Sequence, residues 1–479
     1  MDLRSVSWIV FFLLSLSLTV EAQTVLWNYT ILAEPEAIAV GDLDGDGRED
    51  CVFAAHDYGE TTGFIYAISS YGSLLWSIQR ENISFSDGFT AEGLVVVDSD
   101  NDTDNDVLYA VSSTGGTDNI VFLDGRNGSA LWALGTGGTA HSISYYDVNE
   151  DGFMDFYLGH STNLSLYDGQ NLNQVWTTDV GSYTVEESIV ADADNMTGFE
   201  VIAILEYIGL PLDYISFFNS SGQLYSYFQG NNQEHLEAAD LDEDGLDEGL
   251  LVTFSQFGVV AFHSYQGIYD DNDLYNYSYL WVNDSIQSPA RILVVETTND
   301  TRPEVAIGTS TGEVWVLNGS TGIGLWNQSC AGKTVSSLPA GDFTGDGVDD
   351  VAVGTAKFGV NNALCTFSSA GEPIWSLDFP SEIRFIGIAN LTNDSVDDLC
   401  VALDNIVYGI DGATTTSSTT STTSTTSSTT SPTSSTTSTS TTSTSTTSTS
   451  SSTTSTVCIQ PGCTMLQDGW NLLSLSLIP

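Results

Sequence analysis

The sequence predicts an all-β chain: an eight-bladed β-propeller of four-stranded antiparallel blades, closed by its N-terminal strand and followed by a disordered Ser/Thr-rich stalk. Three observations predict it. An acidic nine-residue motif recurs at near-regular spacing. Each copy is embedded in the same succession of short apolar strands, the last of which carries an aromatic residue. Helical periodicity is absent from the body of the chain, whereas short β-rich runs bounded by Gly, Asn, Asp and Ser are frequent.

The motif is clearest at Asp42-Leu43-Asp44-Gly45-Asp46-Gly47-Arg48-Glu49-Asp50. Acids stand at positions one, three, five and nine, and glycine at position six permits a sharp bend. Such a loop can wrap one calcium ion, which takes about six to eight oxygen ligands. The carbonyl of position seven adds a donor. One copy alone is as readily an acidic turn, so recurrence decides. Further copies are Asp98, Asp100, Asp102, Asp104 and Asp106; Asp147, Asn149, Asp151 and Asp155; Asp240, Asp242, Asp244 and Glu248; and Asp342, Thr344, Asp346 and Asp350. Degraded copies begin at Asp192, Glu296 and Asn390. In the first of these Met196 offers no oxygen, and Glu296 departs from the pattern, which puts metal binding there in doubt. The eight starts are separated by roughly 45–56 residues, the length of a propeller blade.

Each unit has the same order. In the first, a strand precedes the motif (Ala37 to Val40), a second follows it (Cys51 to Ala54), a third alternates (Phe64 to Ile68) and a fourth carries Trp76. The fourth-strand aromatics recur as Trp132, Trp176, Tyr225, Trp281, Trp326 and Trp375. The eighth unit lacks this strand, and an orphan copy, Val25-Leu26-Trp27-Asn28-Tyr29, stands near the N-terminus. Pairing the chain ends would complete the last blade and remove the open edges. Cys51 with Cys400, and Cys330 with Cys365, fall in neighbouring blades and are candidate disulfides, although spacing alone does not fix connectivity.

Residues 1–22 read as a signal peptide, with an uncleaved anchor as the alternative, and 23–412 as the propeller. Residues 413–456 form a Ser/Thr linker of the O-glycosylated type, and 457–479 a short segment with Cys458, Cys463 and a strand-like run. That segment is a candidate for self-association. Export to an oxidising compartment, secreted or at the cell surface, agrees with acceptor asparagines at Asn28, Asn82, Asn127, Asn163, Asn219, Asn276, Asn318 and Asn327. With 9 Lys+Arg against 63 Asp+Glu, the net charge is -54, which opposes binding to nucleic acid or anionic lipid.

The Asp-x-Asp-x-Asp-Gly-x-x-Asp loops between short strands resemble the FG-GAP/VCBS repeats of integrin-α-like propellers, from about Thr24 to Gly412. The resemblance implies calcium on side chains at positions one, three, five and nine of the five strong loops, with Arg48 contributing its carbonyl in the first. A weaker similarity, in phrases such as Leu123-Asp124-Gly125-Arg126-Asn127-Gly128-Ser129-Ala130-Leu131-Trp132, is to quinoprotein-like eight-bladed propellers. No Cys-Cys pair is present to go with such a cofactor, and the tryptophans are expected to pack between blades.

In this strand order the calcium loops share one side with the third-to-fourth turns. The opposite rim carries the longer loops and a set of bases, Arg291, Lys333, Lys357 and Arg384, expected to receive an extracellular protein or glycan ligand. No Gly-x-Ser-x-Gly, His-Glu-x-x-His or phosphate-cradling loop is present. The leading expectation is therefore an adhesion or ligand-binding module. A surface-layer or filament subunit is one alternative, and a propeller enzyme, a calcium-dependent polysaccharide lyase or a quinoprotein, is another.

Overall fold

A computed structural model describes residues 23–57, 62–81, 93–99, 104–110, 120–135, 140–149, 151–160, 162–193, 198–208, 213–230, 233–253, 258–263, 279–300, 302–331, 333–357 and 361–413. The signal peptide, the Ser/Thr linker beyond Ala413 and the Cys458–Cys463 segment lie outside them. No α-helix occurs among the described residues.

Eight antiparallel sheets follow one another along the chain, each with the path first-second-third-fourth strand. Blade 1 is Glu34–Gly41, Asp50–Asp57, Thr62–Ile68 and Leu74–Glu81. Blades 2 to 7 begin at Leu94, Ala140, Tyr183, Gln233, Pro289 and Thr334. Blade 8 takes three strands from Phe385–Ala389, Asp398–Ala402 and Ile406–Ile410. Its fourth is Val25–Thr30, which pairs antiparallel with Ile406–Ile410. The expected closure by the N-terminal strand is thus what the chain does. In blade 7 the first strand is broken into Thr334–Ser337 and Ala340–Gly341. Pro339 lies in the gap and has no N–H to give to a ladder.

The apolar alternation buries side chains between blades. Second strands such as Asp155–His160 and Glu304–Thr309 are buried along their whole length, because both faces meet a neighbour. The core is correspondingly divided into eight clusters, one at each junction; Val52, Ile65 and Trp76 of blade 1 meet Val96, Tyr109 and Leu123 of blade 2 in one of them.

Six fourth-strand tryptophans tie their blade to the next. The Trp27 indole N–H donates to Ser70 O (2.8 Å), Trp76 to Gly125 O (2.6 Å), Trp176 to Ser220 O (3.1 Å), Trp326 to Ser369 O (2.9 Å), Trp375 to Gly412 O (3.1 Å), and Trp281 to Gly319 O. Five acceptors lie in the third-to-fourth turn of the following blade, and Gly412 lies just after the third strand of blade 8. The ring lies on a turn glycine: a Cβ on Gly72, itself at φ +77°, would meet the Trp27 ring at 2.5 Å. Trp132 instead stacks on Phe122, with centroids 4.0 Å apart, and faces Phe156 of blade 3. The tryptophans therefore serve packing, as expected.

Cys51 and Cys400 are disulfide-bonded, and so are Cys330 and Cys365. The first bond joins blade 1 to blade 8, beside the closure; the second joins the end of blade 6 to blade 7. A native disulfide is typically worth about 2–5 kcal/mol. Replacing Cys51 and Cys400 together by Ser should lower the melting temperature in non-reducing buffer, and the loss should equal that caused by reductant at this bond. An unchanged melt would show that the closure does not depend on it.

Candidate metal centres

Four of the strong loops fold into one geometry. The carboxylate at position one collects the amides of the turn: Asp42 accepts from Gly45 N (2.8 Å), Asp46 N (3.2 Å) and Gly47 N (2.9 Å). Asp147 accepts from Asp151 N and Gly152 N, Asp240 from Asp244 N and Gly245 N, and Asp342 from Gly345 N, Asp346 N and Gly347 N. The carboxylate at position five in turn accepts the amide of position seven, as Asp46 does from Arg48, Asp151 from Phe153, Asp244 from Leu246 and Asp346 from Val348. Position six has φ of +84°, +91°, +89° and +85° at Gly47, Gly152, Gly245 and Gly347. Nothing lies within 4 Å of a Cβ added at Gly47, so the requirement is conformational rather than one of space.

Ligand atoms of Asp42, Asp44 and Asp50 lie within 4.8 Å of one another, as do those of Asp240, Asp242 and Asp244. Converging carboxylates held by backbone amides are an oxygen donor set suited to a hard divalent cation. Asn149 and Thr344 supply neutral oxygens at position three of blades 3 and 7. In blade 2, Asp100 and Asp102 lie outside the described residues, Asp98 and Asp106 are described, and the Asp104 carboxylate is taken by Arg126. Asp104 therefore has its carbonyl, not its carboxylate, to offer. The blade 6 loop fills itself: Glu304 accepts from Thr297 N, Thr297 Oγ1, Thr298 N and Thr298 Oγ1. In blade 4, Met196 lies outside the described residues.

The ninth acid does more than face the loop. Asp50, Asp106, Asp155, Glu200, Glu248, Glu304, Asp350 and Asp398 are all buried at the start of a second strand. Asp50 accepts from Leu43 N of its own loop (3.0 Å) and from Ser70 N of the third-to-fourth turn (2.9 Å). Asp155, Asp350 and Asp398 repeat this with Gly169, Ser369 and Gly412. Burial pushes the Asp50 carboxyl up to about 7, against the pull of those two amides, and pushes Glu248 up to about 9 with the nearby charge of Asp242 adding to it.

Position eight escapes sequence reasoning. Glu49 accepts from Asn390 N (2.7 Å), Asp247 from Asp192 N (2.8 Å), Asp349 from Glu296 N (3.1 Å) and Asp397 from Asp342 N (2.8 Å), in each case the first loop residue of the preceding blade. Asn105 meets the same partner residue in the opposite sense, donating its Nδ2–H to Asp42 O. The equivalents Met154, Phe199 and Pro303 cannot make this clasp with their side chains. The alternation of polar and apolar residues at this one motif position was the available signal.

The expected basic rim is largely spent on the ring. Arg384 pairs with Glu34 of blade 1 (2.6 Å), and Arg291 donates to Ser336 O (3.0 Å) and meets His235 Nε2 at 2.7 Å. Desolvation, and then the Arg291 cation, bring His235 down to about 3, so it is neutral and accepts. Arg48 reaches Leu391 O of blade 8, and Arg302 pairs with Glu243 of blade 5. Lys357 is exposed and Lys333 half-buried. Among the acceptor asparagines, Asn127, Asn219 and Asn318 use their carboxamides inside third-to-fourth turns. Asn163 is half-buried, the outer-strand Asn28 and Asn327 are exposed, and Asn82 and Asn276 lie outside the described residues.

No family model matches the chain, and no curated protein matches it in sequence. Solved structures do match in fold. The crystal structure of Saccharomyces cerevisiae Sqt1 is 12% identical with a TM-score of 0.54, over 81% of this chain and 98% of that one. The rhamnogalacturonan lyase YesW is 14% identical with a TM-score of 0.51, over 82% of this chain and 75% of that one. The computationally designed Ika8 protein is 16% identical with a TM-score of 0.50, over 81% and 99%. At these identities the likeness is one of fold: the chain is an eight-bladed β-propeller.

Two outcomes follow from the loop chemistry. In the metal-free chain the folded state holds protons that the unfolded carboxylates, near 3.8 and 4.5, release. Stability from these groups is complete below pH 4, and is lost as pH rises toward about 7 for Asp50 and about 9 for Glu248. Melting in chelator should therefore fall from pH 5 to pH 8; a rise over that range contradicts the assignment. Separately, Asp349→Ala breaks the clasp between blades 6 and 7 and should cost about 1–3 kcal/mol in urea unfolding, whereas Pro303→Ala, where no clasp forms, should cost less.

Proposed function

We propose that this chain is an extracellular, calcium-binding propeller of the FG-GAP/VCBS type, whose ions clamp the ring and whose opposite rim binds a protein or glycan ligand. The observation that carries the reading is the shared geometry of the loops at Asp42, Asp147, Asp240 and Asp342, in which amides orient the carboxylates before any ion arrives. Binding to the native state alone stabilises it by mass action, and the ions offset repulsion in a chain of net charge -54.

The two disulfides support an oxidising compartment. Lys333 and Lys357 remain the bases best placed to meet an acidic ligand, because Arg291 and Arg384 are engaged within the ring.

Thermal melting with calcium and with chelator tests the first half. Calcium should raise the midpoint, and Asp42→Asn with Asp44→Asn should reduce the gain; equal midpoints in calcium and chelator reject the calcium assignment. An array of glycans and extracellular proteins tests the second half. Lys333→Glu with Lys357→Glu should weaken binding of any acidic ligand found, by at least tenfold, while the melt stays unchanged. Undiminished binding would move the ligand surface elsewhere.

A further inference from the structure

The fifth loop differs from its siblings in a way that the recurring motif does not announce. The residue at the end of the third strand, next to the ninth acid, normally folds back into its own turn. Ser69 accepts from Ser73 N, Asp124 from Arg126 N and Asn318 from Thr321 Oγ1. In blade 5 that position is His263, at the end of the strand Val259–His263. Its Nδ1 lies 2.9 Å from Glu248 Oε1, the oxygen that faces a turn amide in blades with Asp at position nine. The other Glu248 oxygen still accepts from Leu241 N (3.0 Å), so the carboxylate is anchored. Ligand atoms of Asp242, Glu248 and His263 all lie within 4.8 Å of one another, with Glu248 buried and His263 mostly so.

We propose that the blade 5 loop takes a borderline divalent ion of the zinc class, with His263 Nδ1 as ligand beside Asp242 and Glu248, while the oxygen-only loops take calcium. This rests on the reading of these loops as cation sites, and replaces calcium by a zinc-class ion at the Asp240 loop alone. Imidazole nitrogen suits zinc, cobalt and nickel, whereas calcium prefers hard oxygen. With metal bonds of about 2.0–2.2 Å, ligand atoms around one ion stand roughly 3–4 Å apart, a separation compatible with this cluster. Without an ion, Nδ1 and Glu248 Oε1 are joined by a hydrogen bond through one proton. With an ion, that proton resides on Nε2 and the Nδ1 lone pair binds the metal.

The test uses the full chain stripped with chelator. One equivalent of Co2+ should give visible d–d bands, displaced by one equivalent of Zn2+ but not by a hundredfold excess of Ca2+. His263→Gln should weaken Co2+ binding at least tenfold and leave calcium-dependent melting intact. Equal Co2+ binding by the variant, or displacement by calcium, overturns the proposal. Should the variant not fold, X-ray absorption of the zinc-loaded wild-type chain decides: one imidazole at about 2.0–2.1 Å supports it, and a shell of oxygens alone overturns it. The two readings fail separately. Calcium without effect on melting removes the calcium reading, and calcium stabilisation without cobalt bands removes this one.

Discussion

At Ser70 the backbone N–H donates to the buried Asp50 carboxylate of its own blade, while the C=O accepts from the Trp27 indole of the blade before. Gly125, Ser369 and Gly412 are held in the same two directions, by Asp106 and Trp76, Asp350 and Trp326, and Asp398 and Trp375. The backbone of one residue thus joins the acidic loop, the end of the third strand and the neighbouring blade. A buried carboxylate is costly unless its oxygens are occupied, so the loop can close only when the turn is in place. The turn in turn is seated by the preceding tryptophan. Loop, hairpin and ring are therefore parts of one constraint.

This constraint is unevenly distributed around the ring. From blade 6 through blades 7, 8 and 1 to blade 2, every junction has both a tryptophan hydrogen bond and a position-eight clasp. Both disulfides fall within the same arc. Between blades 2 and 3, Met154 replaces the clasp and Trp132 stacks on Phe122. Between blades 4 and 5, Tyr225 replaces the tryptophan while Asp247 keeps the clasp. The chain has concentrated directional bonds around its closure, where the two ends meet and dissociation would unzip the ring. Elsewhere each junction described keeps fewer of them, such as Trp176 to Ser220, Asp247 to Asp192 N and Trp281 to Gly319.

The same economy explains the bases. A chain with 9 Lys+Arg has few cations to display. Arg48, Arg126, Arg291, Arg302 and Arg384 all span between loops or blades. Guanidinium suits this work because it offers several donors in a fixed plane and stays charged. In blade 5 a residue outside the motif, His263 at the end of the third strand, meets the ninth acid of the loop.

Much of this was legible in the residues alone. Strand alternation, the spacing of the acids and the recurring tryptophans determine eight blades, and the orphan strand at Trp27 determines how they close. These are local and periodic signals, and a repeat multiplies them. Position six had to be glycine-like because its φ is positive, and the sequence says so at Gly47, Gly152, Gly245 and Gly347. What only the tertiary structure decided is which polar groups meet across blades. The partners of Glu49 and Arg384 lie 341 and 350 residues away, a separation over which no periodicity carries information. Bulges in the first strands, as between Gln233 and His235 and between Pro289 and Arg291, re-aim side chains in a way no alternation pattern reveals. For that reason the sequence placed Arg291 and Arg384 on a binding rim, and the folded ring uses them as ties.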